Sequence, residues 1–194
     1  MHPFTFYLQM GFDHISDLAG FDHILFLVAL CAVYRIEQWR NLLILVTAFT
    51  LGHSITLALA SLGILTISSE LIEFLIPTTI LFTALHNVFG HRMPPGTRRM
   101  GWNYAMALFF GLIHGMGFSN YFRALLMDDS SIFIPLLGFN LGIELGQLLI
   151  VAVIVGVAFA CLRLAGFQHR EWNLFISGGA AGMALMLMAE TRFW

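Results

Sequence analysis

Six stretches of this chain are almost unbroken runs of apolar residues, near 18–34, 41–63, 70–90, 102–122, 132–162 and 172–190. Each approaches the roughly 20 residues that an α-helix needs to cross a bilayer. The first is short unless the stretch from Phe12 to Leu18 extends it, and the fifth is long enough to tilt or project. Backbone in lipid must satisfy its own hydrogen bonds, so such runs fold as helices. The expected fold is all-α: a polytopic membrane bundle of six transmembrane helices. No linker or shift in composition divides residues 1–194, so they read as one integral membrane domain. A soluble alternative fails on area. With 59% of the residues hydrophobic, a chain this short cannot hide its apolar surface in one core.

The few charges sort by loop. Arg35 and Arg40 follow the first run, Arg92, Arg98 and Arg99 the third, and Arg163 and Arg170 the fifth. Arg123 and Arg192 fall on the opposite side. Short loops rich in arginine stay in the cytoplasm, which predicts both termini outside and a multi-pass protein of the bacterial inner membrane. The lipid bilayer is then the main partner. A net charge of −2 with no lysine provides no basic patch for nucleic acid. Residues 1–10 have no basic start and no small-residue cleavage site, which reads as no removable signal peptide. Cys31 and Cys161 form no CxxC motif and point to no disulfide framework.

Glycines recur every four residues at Gly138, Gly142 and Gly146, at Gly111 and Gly115, and at Gly178 and Gly182. Such faces let helices pack closely in lipid. They predict packing within the bundle, with a homo-oligomer through these faces as the alternative. Phe49 and Phe110 each precede a histidine by four residues, at His53 and His114, on helices expected to run the same way.

Ionisable groups inside a membrane are costly and mark functional positions by default. Asp22 and His23 open the first run, His53 lies within the second, and His114 within the fourth. Asn140, Glu144 and Gln147 follow one another at i, i+4 and i+7, one stripe of the fifth helix. Counting along the helices puts His53, His114 and Glu144 near mid-membrane, with Asp22, His23 and Asn140 slightly nearer the exterior. Imidazole nitrogen with carboxylate oxygen suits divalent first-row metals such as Ni(II), Co(II) and Zn(II). Amides such as Asn140 and Gln147 can orient ligands from behind. Asp13, His14 and Asp17, just before the first run, are placed to gather cations outside. His86, with His91 beyond it, is placed to receive them inside. Any one of these histidines alone could be a hydrogen-bonded packing residue. As a set on four runs they predict a shared metal centre.

Four ordered motifs then resemble a known family. Gly11-x-x-His14-Ile15-x-x-x-x-Gly20-x-Asp22-His23, followed by Ile24-Leu25-Phe26-Leu27, is similar to the first-span signature of the HupE/UreJ proteins. The stretches 47–57, 110–118 and 139–147 are similar to its second, fourth and fifth spans. The resemblance implies a bacterial inner-membrane protein for nickel or cobalt uptake. It implies metal contacts at His14, Asp22, His23, His53, His114 and Glu144. The expected activity is therefore permease-type transport with a divalent metal as substrate. Two alternatives stand beside it: an intramembrane zinc-dependent hydrolase, and an accessory metal-binding subunit. Three histidines and a carboxylate can also hold Zn(II) with an open position for a nucleophilic water.

Overall fold

The computed structural model describes residues 3–90, 100–126 and 132–194. Among them the chain forms eight α-helices and no strand. In order these are α1 (Pro3–Ser16), α2 (Asp22–Cys31), α3 (Trp39–Ser61), α4 (Ser69–Phe89), α5 (Met100–Gly117), α6 (Ser119–Leu125), α7 (Phe133–Phe159) and α8 (His169–Glu190). A 3₁₀ turn at Ile36–Gln38 leads into α3, and a wider π turn at Ala160–Leu164 extends α7. Four segments are long and apolar enough to cross a membrane: Ile36–Ser61, Ser69–Phe89, Phe133–Leu164 and His169–Glu190.

Local chemistry sets the ends. Ser68 caps α4 by accepting the Leu71 N–H at 3.3 Å. Glu171 folds back to accept the Gln168 N–H at 2.9 Å, closing the start of α8. Gly63 and Gly166 follow α3 and the π turn with φ of 72° and 75°, a left-handed backbone that glycine adopts without steric cost.

Two expected single helices are each broken. The run near 18–34 is not one span. Its helix begins only at Asp22 and has 10 residues, about 15 Å of rise and half a bilayer. Upstream, α1 is a second helix that hydropathy alone passes over, because Gln9, Asp13 and His14 dilute its apolar residues. The run near 102–122 ends at Gly117, and the short α6 restarts at Ser119. Arg92, Arg98, Arg99 and His91 lie outside the described residues.

Two parallel helix pairs organise the bundle. In α1 and α7, Phe4 meets Gly138, Leu8 meets Gly142 and Ile15 meets Gly146, so the two helices rise together. Gly11 reciprocates against the Phe139 carbonyl. In α3 and α5, Gly52 lies on Leu108, Gly111 on Phe49, and Gly115 on His53. A Cβ at any of these glycines would overlap the opposing backbone or side chain. The glycine faces of α5 and α7 are thus filled within the chain. By contrast, nothing lies within 4 Å of a Cβ at Gly178 or Gly182.

Helix α4 runs antiparallel to α8. Asn173 Nδ2 donates to the Asn87 carbonyl at 3.1 Å at one end, and Phe74 packs edge-on against Trp194 at the other. Asn87 Nδ2 also donates to the Ala29 carbonyl at 2.7 Å, tying α2 to the same pair. Arg163 and Glu37, 3.1 Å apart, join the ends of α7 and α3. Arg123 donates to the Ala60 carbonyl and seats α6 on the far end of α3.

Candidate metal centre

The break between α1 and α2 positions the site. Asp17 Oδ1 accepts the Ala19 N–H at 2.8 Å and turns the chain. Asp22 then opens α2, where its carboxylate complements the positive end of the helix and accepts the His23 N–H at 2.8 Å. The turn brings His14, at the end of α1, beside His23, with ring centroids 4.9 Å apart. Helix α3 supplies His53 from the third direction, 6.1 Å from the His14 ring and 6.2 Å from the His23 ring.

One nitrogen from each of His14, His23 and His53 can be chosen so that all three lie within 4.8 Å of one another. His53 is fully buried and His23 is 5% exposed. These rings carry nitrogens with no hydrogen-bond partner: His14 Nε2, His23 Nε2, and both nitrogens of His53. Buried polar atoms are normally paired, so the orphaned nitrogens leave lone pairs open to a ligand. Nitrogens sharing an ion at about 2.1 Å sit about 3.4 Å apart in a tetrahedron. To hold a metal the triad would have to close by little more than about 1 Å.

Neighbours fix which nitrogen faces inward. His23 Nδ1 lies 3.0 Å from Asp22 Oδ1. The carboxylate accepts only, so Nδ1 carries the proton and Nε2 keeps its lone pair for the metal. His114, 1% exposed, stands with its ring 5.0 Å from His23. Its Nε2 lies 3.2 Å from Thr79 Oγ1, which donates its single proton to the Ile76 carbonyl at 2.7 Å. Thr79 must then accept from His114 Nε2–H, which leaves His114 Nδ1 as the free lone pair. That Nδ1 is buried and unpartnered. His114 can thus serve as a fourth ligand or as the next stop for an ion leaving His23. Removing the Asp22 carboxylate should loosen the His23 tautomer. Asp22→Ala is expected to lower metal affinity by about 10- to 100-fold, measured by calorimetric titration of nickel.

Aromatic rings enclose the centre. Phe118 lies 4.0 Å from the His14 ring, and Phe139 lies 5.7 Å from His14 and 6.3 Å from His53. Phe49 and Phe26 stack on each other at 4.9 Å and cover His114 at 5.1 and 5.4 Å. His14 also faces an open cavity of about 660 Å³, lined with Asp13, Asp17, Gln9 and Tyr121. On the other side of Phe26, a small cleft of about 50 Å³ is lined by Phe26, Phe110, Asn87 and the exposed His86.

The remaining expected residues fall elsewhere. Glu144 is not among the groups drawn together with the triad. Its Oε1 accepts the Thr47 hydroxyl of α3 at 2.7 Å. Gln147 Oε1 accepts the Thr50 hydroxyl at 2.7 Å. Asn140 shares their stripe, and its Oδ1 is buried without a partner. His14, read both as an outer collector and, through the resemblance, as a metal contact, is one of the three clustered imidazoles. Sequence reasoning missed Thr79, Thr47 and Phe118. The signal for Thr79 was a Pro77-Thr78-Thr79 interruption in an apolar run. Short hydroxyls inside helices more often bond their own backbone, so the interruption had no distinguishing mark.

Comparison with known proteins adds one match. No curated protein and no solved structure matches the chain. The profile of the HupE / UreJ protein family matches residues 1–192, almost the full length. A helical chain with four membrane-length apolar helices, matched from end to end, belongs to the HupE/UreJ family.

Proposed function

We propose that this protein carries a divalent transition metal, nickel or cobalt, across the bacterial inner membrane through the His14–His23–His53 centre. The observation that carries the reading is the set of orphaned imidazole nitrogens, contributed by three helices and gathered within 4.8 Å. Neutral imidazoles suit these metals. A triad slightly wider than a closed coordination shell favours release, and transport needs release as much as capture. Family membership supports the same reading.

The ion enters through the cavity beside Asp13 and Asp17 and meets His14 first. It passes to His23 and His53, with Asp22 offsetting part of its charge. It leaves by His114, past the Phe26 and Phe49 rings, toward the cleft at His86. Six crossings serve this path, the first made by α1 and α2 together, with both termini outside.

Purified protein in liposomes loaded with a metal-quenched dye tests the proposal. Uptake of nickel or cobalt, saturating with concentration, is the expected result. Protein that moves neither ion yet retains one zinc per chain would replace this reading with a zinc-dependent hydrolase. Protein that binds nickel but moves none would make it an accessory subunit.

A further inference from the structure

The outer cavity stops one ring short of the buried histidines. His14, Phe118 and Tyr121 line it, whereas His23 and His53 do not. His14 as a residue is partly exposed, yet its Nε2 is buried and has no hydrogen-bond partner. Among the described rings, the one packed closest on His14 is Phe118, with centroids 4.0 Å apart. Phe139 lies parallel to Phe118, 4.9 Å away and only 7° off. The two phenyl rings differ in freedom. Phe139 is fully buried within the unbroken α7 and also packs on Phe122 at 5.1 Å. Phe118 is partly exposed and is the single residue between the end of α5 and the start of α6. Ser119 Oγ secures the end of α5 by donating to the Met116 carbonyl at 2.7 Å. The Phe118 side chain can therefore rotate without unwinding either helix, and the cavity of about 660 Å³ beside it has room for the ring.

We propose that Phe118 is the outer gate of the metal centre: its ring lies shut over His14 and swings into the cavity to admit an ion. An apolar constriction excludes water and hydrated ions alike. A cation gathered by Asp13 and Asp17 is therefore held in the cavity while the ring is shut. With the ring aside, His14 Nε2 faces the cavity and can replace water on the ion. When the ring returns, it closes the ion in with His23 and His53 and keeps bulk water out. The inward side has no comparable freedom. Phe26 and Phe49 are each 1% exposed, and the cleft next to Phe26 is only about 50 Å³. The inference rests on the transport reading and adds to it the residue that sets when the centre is open to the outside.

Stopped-flow binding and release of cobalt by the purified full chain in lipid nanodiscs tests this, followed by the visible absorption of the bound ion. A gate open for about 0.1–10% of the time slows entry and exit alike, so Phe118→Ala should speed both by about 10- to 1,000-fold and leave Kd little changed. A merely structural ring would instead weaken Kd without faster entry, and that result overturns the proposal. A metal-free readout accompanies it. Diethylpyrocarbonate should modify His14 faster in Phe118→Ala than in wild type, as read by mass spectrometry. Should Phe118→Ala fail to fold, Phe118→Leu, which has no flat ring to lay on His14, serves with the same expected direction. Wild-type rates of cobalt entry in a folded variant also overturn the proposal. Faster exchange in the variant with no uptake into liposomes by wild type would keep the gate and defeat the transport reading. Were wild type to bind no cobalt, the transport reading falls and His14 labelling alone decides the gate, with unchanged labelling overturning it.

Discussion

Replacing His53 by alanine should give a folded bundle that no longer takes up nickel or cobalt. The ligand loss is severe. His53 is fully buried and completes the only triad of clustered imidazoles among the described residues. Losing even a residue that merely supports a ligand costs about 10- to 100-fold in affinity, so removing a ligand should exceed about 100-fold. The effect on the metal-free fold should be small, because two changes offset. Truncation opens a cavity, which destabilises. It also removes two buried nitrogens without partners, each of which weighs against folding by about 1–3 kcal/mol. The separating measurement is thermal melting with and without metal. Wild type at a metal concentration of about 100 Kd gains about 2.7 kcal/mol, whereas the variant should show almost none. A variant that keeps wild-type uptake would take His53 off the path.

The second large effect concerns glycine. Gly142→Ala should leave little monodisperse protein, because the new methyl group overlaps the Leu8 carbonyl and approaches the Phe12 nitrogen. Both neighbours are backbone and cannot rotate away. Overpacking costs about 1–3 kcal/mol even where side chains can adjust. Here relief requires α1 to lift off α7, which carries His14 out of the triad. Gly178→Ala is the matched control, since a Cβ there meets nothing within 4 Å. It should be neutral or stabilise by about 0.5–1 kcal/mol through better helix propensity. Yield, size-exclusion profile and melting temperature of the two variants check the contrast.

These two predictions show where the sequence was informative. Periodicity separated the two faces of α7. Glycines at every fourth residue form one face, and Asn140, Glu144 and Gln147 form another. The structure gives the first face to α1 and the second to α3. Periodicity could not say which helix each face would meet, because neighbours in a bundle are set by packing among all helices. Glu144 was therefore grouped with the histidines at a similar depth, although it faces the threonines of α3. From the residue pattern alone, without the resemblance, His14 was read as lying outside for a related reason. Its helix is too polar to register as a span, and only the turn at Asp17 folds it beside His23. Thr79 stayed invisible because its role depends on its distance from His114, 35 positions away.

The glycine seam between α1 and α7 has a consequence for how the protein is made. Its two halves are separated by about 130 residues of synthesis, and a ribosome adds about 5–20 residues per second. For several seconds, then, α1 waits with no α7 for Gly11 to pack against. Until α7 emerges, the nascent chain holds His14, His23 and His53 but not Phe139, the ring that packs beside His14 and His53. Docking of α7 onto α1 is therefore the late step that walls in the imidazole cluster.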